Sequence, residues 1–417
     1  MSASTGQVVV VGAGPAGLAA ALELRRRDID VLVLEREPDA GGIPRHAQHQ
    51  GFGIRDLHRV LSGPRYARRY AQLARAAGAR VLTEAMVTGW STAGALEVTS
   101  PEGRDRLSPA AVVLATGCRE RPRSARLVPG SRPHGVMTTG TLQQLVYLHG
   151  HRPGTRALIV GAEHVSFSAV LTLAHGGAGV VGMVTELPRH QSLALFRLGA
   201  RLRYRTPLWT RTAVAAIHGW PRVEEVELTE LDTGETRCVT CDTVVFTADW
   251  VPDHELAVLA GIGLDPGTLG PAVDTGLRTS RAGVLAAGNV LHGAETADVA
   301  ALSGRHAAAA AARYLAEGTW PGPRVPVVCQ PPLRWIYPNV LSPGLEVPPR
   351  HRFALRSDAF LSRPRIEIRQ DGRSLWRGRL PRLVPGRSAR LSHDWMDSFD
   401  PAGGPIHVRV AFNPTAG

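Results

Sequence analysis

Apolar positions along this chain fall into short continuous runs joined by glycine turns, and into one face that repeats with a helical period. Residues 7–37 read QVVVVGAGPAGLAAALELRRRDIDVLVLERE: a strand-length valine run, a glycine turn, an alanine- and leucine-rich helix, and a second apolar run that ends in acid. Apolar runs this short, without alternation, predict strands buried on both faces of a parallel sheet. Residues 156–186, RALIVGAEHVSFSAVLTLAHGGAGVVGMVTE, repeat the order, so the chain carries an internal repeat. A third strand–turn–helix follows at 281–315, where GVLAAGN runs into an alanine-rich helix. Between these, AIHGW, VEEVELTEL and TVVFTAD predict short strands, with Asp232-Thr233-Gly234 as a hairpin turn. Proline and glycine then crowd residues 318–332, and the tail alternates in IEIRQDGRSLWRGRL and PIHVRVAF around an Asp371-Gly372 turn. The tail is expected to be a small antiparallel domain with Trp335, Tyr337, Trp376 and Trp395 in or near a core.

Composition narrows the classes. At 417 residues and 44% hydrophobic, the chain is long enough for two or three domains with real cores. No apolar run reaches membrane-spanning length and no basic region precedes the first strand, so no span or signal peptide is expected and the cytoplasm is the default. The net charge of +12 comes from 48 basic residues, all arginine and spread along the chain. No nucleic-acid module accompanies them, so no nucleic-acid partner is expected. The lack of lysine excludes Schiff-base chemistry. Cys118, Cys238, Cys241 and Cys329 are too few and too scattered for a disulfide framework or an iron–sulfur cluster.

The glycine spacing carries the chemistry. Gly12 permits a tight turn, Gly14 lets the backbone approach a pyrophosphate, and Gly17 lets the helix pack closely on the sheet. Phosphates belong at that helix N-terminus, beside Pro15 and Ala16, where N–H groups and the dipole attract negative charge. Glu35, about 20 residues on, suits ribose hydroxyls.

GAGPAG with Glu35, VVLATG at 112–117 and GVLAAGN at 283–289 together resemble the two-dinucleotide-domain flavoproteins of the thioredoxin-reductase and pyridine-nucleotide-disulfide-oxidoreductase superfamily. The resemblance spans roughly residues 7–320. It implies an α/β fold with two Rossmann-like dinucleotide-binding domains, the second inserted in the first, plus the C-terminal β domain. Boundaries are expected at 1–122 and 276–325 for an FAD-binding domain, 123–275 for the inserted one, and 326–417 for the tail. FAD is the implied cofactor, with Arg36, Gly41, Gly42, Arg45, Val87, Thr116, Gly117, Gly288, Asn289 and Ala297 added to the binding set. Asn289 stands where the family has an aspartate that contacts the ribityl or phosphate region.

The inserted unit departs from the pattern. Gly161, Glu163 and Ser166 stand where the first unit has Gly12, Gly14 and Gly17, and a carboxylate beside a pyrophosphate opposes binding. The fold is expected without productive NAD(P)H binding; if a nucleotide did bind, Glu186 would favour NADH. Cys238 and Cys241 form CVTC, but they introduce a strand-like run and do not follow a glycine turn, so strand packing is the expectation.

The loop GGIPRHAQHQGFG, residues 41–53, follows the first nucleotide unit. Arg45 suits phosphate or a carboxylate, and His46 and His49 suit proton exchange near a flavin or plain loop packing. No acid or cysteine in the loop completes a metal set, so no metal is expected. GAEHVS and GGIPRH resemble, more narrowly, the FAD subunits of opine, proline or hydroxyproline dehydrogenases and the hydrogen cyanide synthase middle subunit. That resemblance implies C–N oxidation of an amino acid, imino acid or opine-like substrate, with a second dehydrogenase or iron–sulfur subunit, or another copy of the chain, as partner. Two readings stand beside it: an NAD(P)H-dependent flavin reductase and a non-catalytic flavin-binding assembly subunit.

Overall fold

Val8–Val11 form β1, every residue buried, and pair in parallel with β2 at Val31–Leu34. Helix α1, Pro15–Arg25, joins them; it is buried nearly all round, as its run of alanine and leucine dictates. The computed structural model describes residues 6–193, 198–199, 202–293, 295–322, 324–344 and 346–411. After β2 come α2 (Gly63–Ala76), β3 (Arg80–Leu82) and an antiparallel sheet of β4 (Met86–Trp90), β5 (Leu96–Ser100) and β6 (Gly103–Leu107). Then β7 (Ala111–Leu114) returns to pair with β1.

The chain divides into two compact units. One holds the residues up to Arg45, Gln50–Cys118 and everything from Pro252; the other holds His46–His49 and Arg119–Val251. In the second unit, β8 (Val136–Thr138), α3 (Thr139–Tyr147), β9 (Arg156–Val160), α4 (His164–His175), β10 (Gly179–Val184) and β11 (Leu208–Trp209) are followed by an antiparallel sheet of β12 (Thr212–His218), β13 (Glu225–Glu230) and β14 (Thr236–Thr240). With β15, Thr243–Phe246, a parallel sheet is completed in the order β8-β15-β9-β10-β11. Each repeat of the sequence has thus become its own parallel sheet, with β9–α4–β10 standing to the second as β1–α1–β2 stands to the first.

The first unit resumes at Pro252, ahead of the expected return at 276. Local bonds give the reason: the Thr116 hydroxyl donates to the Asp253 carbonyl at 2.7 Å and the Asp253 N–H to the Gly117 carbonyl at 2.9 Å, while Leu256 and Ile262 enter the main core. Strand β16, Val284–Ala286, then pairs with β7 and completes the order β16-β7-β1-β2-β3. Helix α5, Ala297–Glu317, packs along α1; a Cβ on Gly304 would stand 2.0 Å from the Ala16 carbonyl oxygen, so only glycine admits this approach.

The tail forms β17 (Val325–Cys329), β18 (Leu333–Tyr337), β19 (Phe353–Ser357), β20 (Arg365–Gln370), β21 (Arg373–Arg379), β22 (Ala389–Leu391) and β23 (Ile406–Ala411). The β20–β21 hairpin turns at Asp371-Gly372, both at positive φ. The tail has its own core, in which Trp395 is buried and Trp376 half-buried, yet Trp335 and Tyr337 enter the core of the nucleotide sheet, and Asn339 Oδ1 accepts from the Val273 N–H at 2.9 Å. These contacts keep the tail in the first unit. Among the described residues no helix is long and apolar enough to cross a membrane.

Candidate nucleotide-binding sites

The turn after β1 is built by hydrogen bonds and close approaches that local sequence sets. Gly12 sits at φ +103, its N–H bonded to the Leu34 carbonyl, and a Cβ there would lie 2.5 Å from the Ala115 carbonyl oxygen. A Cβ on Gly17 would stand 1.9 Å from the Gly12 carbonyl oxygen, which is why the third glycine packs helix on turn. Gly14 differs in kind: it is the N-cap of α1 with ordinary extended φ, and no described atom lies within 4 Å of the position a Cβ would take. No side chain caps α1, and Pro15 opens it where a missing N–H costs nothing. This is a helix N-terminus shaped for an external anion.

Glu35 ends β2 buried, its Oε2 accepting from the Ala13 N–H at 2.8 Å and its Oε1 from the Glu37 N–H at 2.9 Å. The carboxylate fixes the glycine turn, and each oxygen keeps a further lone pair for a ribose hydroxyl. Gly41 and Gly42 bring the following loop against the same turn. The Gly41 N–H donates to the Ala13 carbonyl at 2.8 Å, and a Cβ on Gly42 would fall 2.9 Å from Gly14 Cα. Arg45 is half-buried, with its guanidinium 3.6 Å from Glu37 and 3.4 Å from Asp39. Arg36 is exposed, 3.9 Å from Asp253. Val87 is buried in β4, opposite Val98.

The far side of the site comes from the return of the chain. Gly117 and Gly288 both sit at positive φ, and a Cβ on Gly288 would meet Ala16 Cβ at 2.6 Å. Asn289 turns its amide to its own loop, accepting from the Glu295 N–H at 3.0 Å and donating to the Glu295 carbonyl at 3.3 Å. It clamps the segment that leads to Ala297, the first residue of α5. Sequence reading missed what anchors that helix end: Arg55 pairs with buried Asp298 at 2.8 Å, and Tyr66, whose hydroxyl donates to Asp56 at 2.6 Å, lies 3.2 Å from the Ala297 carbonyl. Tyr70 donates to the same Asp56 oxygen at 2.7 Å, and Arg305 donates to Tyr70 at 3.0 Å. The tyrosines of α2, spaced one helical turn apart, were the available signal. Arg45 stays with this unit, whereas buried His46 and exposed His49 group with the other. The structure therefore brings together the glycines, Glu35 and Ala297, and does not add the histidines to that set. No group of three potential metal ligands occurs among the described residues.

The corresponding helix of the second unit is closed by its own side chain. Glu163 caps α4 in a capping box with Ser166: its carboxylate accepts the Ser166 N–H, and the Ser166 hydroxyl accepts the Glu163 N–H at 3.2 Å. The same carboxylate accepts from the Ala162 N–H at 2.9 Å and from the Thr247 hydroxyl, which also lies 2.7 Å from the Ser166 hydroxyl. Where α1 offers N–H groups outward, α4 has an internal anion on them. A buried acid of the same unit, Glu120, accepts from the Gly140 N–H at 2.7 Å, yet burial, with the Glu163 charge adding to it, pushes its pKa up to about 7. Since the folded value lies above the unfolded one, ionisation opposes folding, a cost absent below about pH 4.5 and complete above about pH 7. Glu120→Gln is expected to raise the melting temperature at pH 8, by an amount corresponding to about 3 kcal/mol at most, and to leave it unchanged at pH 4.5; equal shifts at both values would reject the charge as cause.

The cysteines do not converge. Cys238 is exposed on β14 while Cys241 is buried in the core of the second unit, where burial pushes its thiol up to about 11. All four are free thiols.

Two parallel sheets, the second inserted in the first, with an uncapped glycine turn at the head of α1, define the two-dinucleotide-domain flavoprotein fold. The family model for pyridine nucleotide-disulphide oxidoreductases matches residues 6–304, and the chain belongs to that family, which implies FAD binding. It is 28% identical over 319 residues to the thioredoxin reductase of Treponema pallidum (strain Nichols), a match covering 74% of this chain and 96% of that protein. It is 29% identical over 344 residues to an opine oxidase subunit of Agrobacterium tumefaciens (strain Ach5), covering 73% of this chain and 65% of that one, so this chain spans just under two thirds of that relative. Among solved structures, the thioredoxin reductase of T. acidophilum superposes with a TM-score of 0.61 at 22% identity, over 73% of this chain and 98% of that one.

Proposed function

We propose that this chain is an FAD-dependent dehydrogenase, or the FAD subunit of one, that oxidises the C–N bond of an amino acid, imino acid or opine-like substrate. The observation that carries the reading is Glu163. Its carboxylate is bonded to the α4 N-terminus and to Thr247, where a nicotinamide nucleotide's pyrophosphate would need the same N–H groups, and this supports a donor other than NAD(P)H. Two further facts support it: Cys238 and Cys241 do not form a reducible pair, and the relatives include an opine oxidase subunit.

In this reading the α1 N-terminus and Gly14 hold the pyrophosphate, Glu35 the adenosine ribose, and the α5 end at Ala297 faces the ring system. FAD, when bound, supplies the two-electron acceptor. Arg45, paired with Glu37 and Asp39, is assigned to positioning the turn at Gly41 and Gly42.

Anaerobic titration of the flavin-loaded chain with NADH, NADPH and a panel of amino, imino and opine-type acids tests this, both alone and with any copurifying subunit. Bleaching by a member of the acid panel and none by micromolar NADH is expected. Rapid bleaching by NADH would replace the reading with a nicotinamide-dependent reductase, which the extensive match to thioredoxin reductase favours. Bleaching by neither donor, with tight binding of a partner, would leave an assembly subunit.

A further inference from the structure

A cavity of about 170 Å³ lies within the first unit, between the first turns of α5, the 349–354 segment and β22. Its charge is one-sided. Arg55, Arg350, Arg352 and Arg390 line it, and Glu295 is its one lining carboxylate among the described residues. Two of these charges are fixed by what lies behind them: Arg55 by Asp298, and the Glu295 backbone by the Asn289 amide. Arg350 is held in the left-handed region at φ +61, with His351 beside it at φ +55, a conformation that costs a non-glycine residue free energy and must be imposed by its surroundings. Burial, then repulsion from Arg390 and Arg55, lowers the Arg350 pKa. Like charges turned toward one another are relieved by an anion between them.

The back wall supplies a neutral polar group. His292 is buried, its ring centroid 4.9 Å from that of Trp335 and 4.5 Å from that of Tyr337, tilted to both. Burial holds its pKa down at about 4, so the imidazole is uncharged at neutral pH, and its Nδ1 finds no hydrogen-bond partner among the described residues. His292 therefore adds a buried, uncharged ring to a wall otherwise rimmed by guanidinium groups.

We propose that this cavity is the acid-recognition site for the C–N substrate, taking a small molecule with two carboxylates, such as an amino dicarboxylic acid or an N-carboxyalkyl amino acid. The proposal rests on the C–N reading above for calling the ligand a substrate, not for the binding itself. Guanidinium forks pair with carboxylates in two parallel hydrogen bonds, and four arginines against Glu295 and the Asp298 behind Arg55 leave two positive charges for a dianion. The volume suits a molecule of about amino-acid size, since pockets for larger ligands run from roughly 300 Å³ upward, and Gly288 and Asn289 of the flavin set line one side of it, so a ligand here would border the flavin.

Calorimetry on the flavin-loaded chain with glutarate, butyrate, glutaramide and inorganic phosphate tests the site. Glutarate is expected to bind, butyrate at least tenfold more weakly and glutaramide not at all. Arg352→Gln and Arg390→Gln are each expected to weaken glutarate at least tenfold, while Arg104→Gln, in exposed β6, leaves it unchanged; unaltered flavin absorbance and melting temperature certify the fold of each variant. No glutarate binding, phosphate binding without glutarate, or binding indifferent to both variants would overturn the proposal. Glutarate binding lost in the variants, with no amine able to reduce the flavin, would uphold the site and reject the C–N reading instead.

Discussion

Gly14→Ala is expected to leave the chain folded and to strip it of flavin, while Gly17→Ala removes the fold itself. The two glycines stand three residues apart in one turn, but the space at their Cβ positions is opposite. At Gly14 the backbone is extended at φ −76 and nothing described lies within 4 Å, so a methyl group meets no protein atom and the apoprotein's melting temperature should stay within about 2 °C of the parent. That methyl points into the space a pyrophosphate must enter, and FAD affinity is expected to fall at least a hundredfold, about 3 kcal/mol. At Gly17 the methyl would stand 1.9 Å from the Gly12 carbonyl oxygen, a backbone atom with no way to yield, and the loss should exceed about 3 kcal/mol of stability whether or not flavin is present. Flavin absorbance after gel filtration and thermal unfolding of the apoprotein separate the two. Retention of stoichiometric FAD by Gly14→Ala would end the assignment of this turn to a pyrophosphate.

The converse change belongs to the second unit. Glu163→Gly with Ser166→Gly removes the internal anion and its reciprocal partner and leaves glycines at the positions Gly14 and Gly17 hold in the first. Loss of the capping box costs about 1–2 kcal/mol, so unit-specific unfolding should begin several degrees lower. In return, NADH affinity is expected to rise at least tenfold over the parent, read by fluorescence quenching. If the parent already binds NADH as tightly as the double variant, Glu163 is not the block, and the argument for another electron donor falls with it.

Much of the fold was legible because its signals are local. The strand–glycine–helix order, the inserted repeat and the Asp371-Gly372 hairpin each lie within a few tens of residues, and each became the element expected. The departure at Glu163 was equally plain, but not its partners, since Thr247 comes from just past β15, more than eighty residues away. Arg45 was read as suited to an anion, and the two acids beside it, Glu37 and Asp39, stand just upstream. Other features had no local signal at all. The arginines of the cavity come from positions 55, 350, 352 and 390, and in a chain where every basic residue is arginine their convergence is indistinguishable from background. Trp335 and Tyr337 were placed correctly as core, but which core they join depends on the path of the tail.

The carboxylate on α4 also sets how each unit depends on supply. A domain that binds a free ligand gains stability with the logarithm of that ligand's concentration, so the first unit weakens as flavin runs short. The second carries its anion on its own chain, at an effective concentration set by covalent attachment and independent of metabolite pools. On the proposed reading, one nucleotide fold in this protein responds to cofactor availability and its repeat does not.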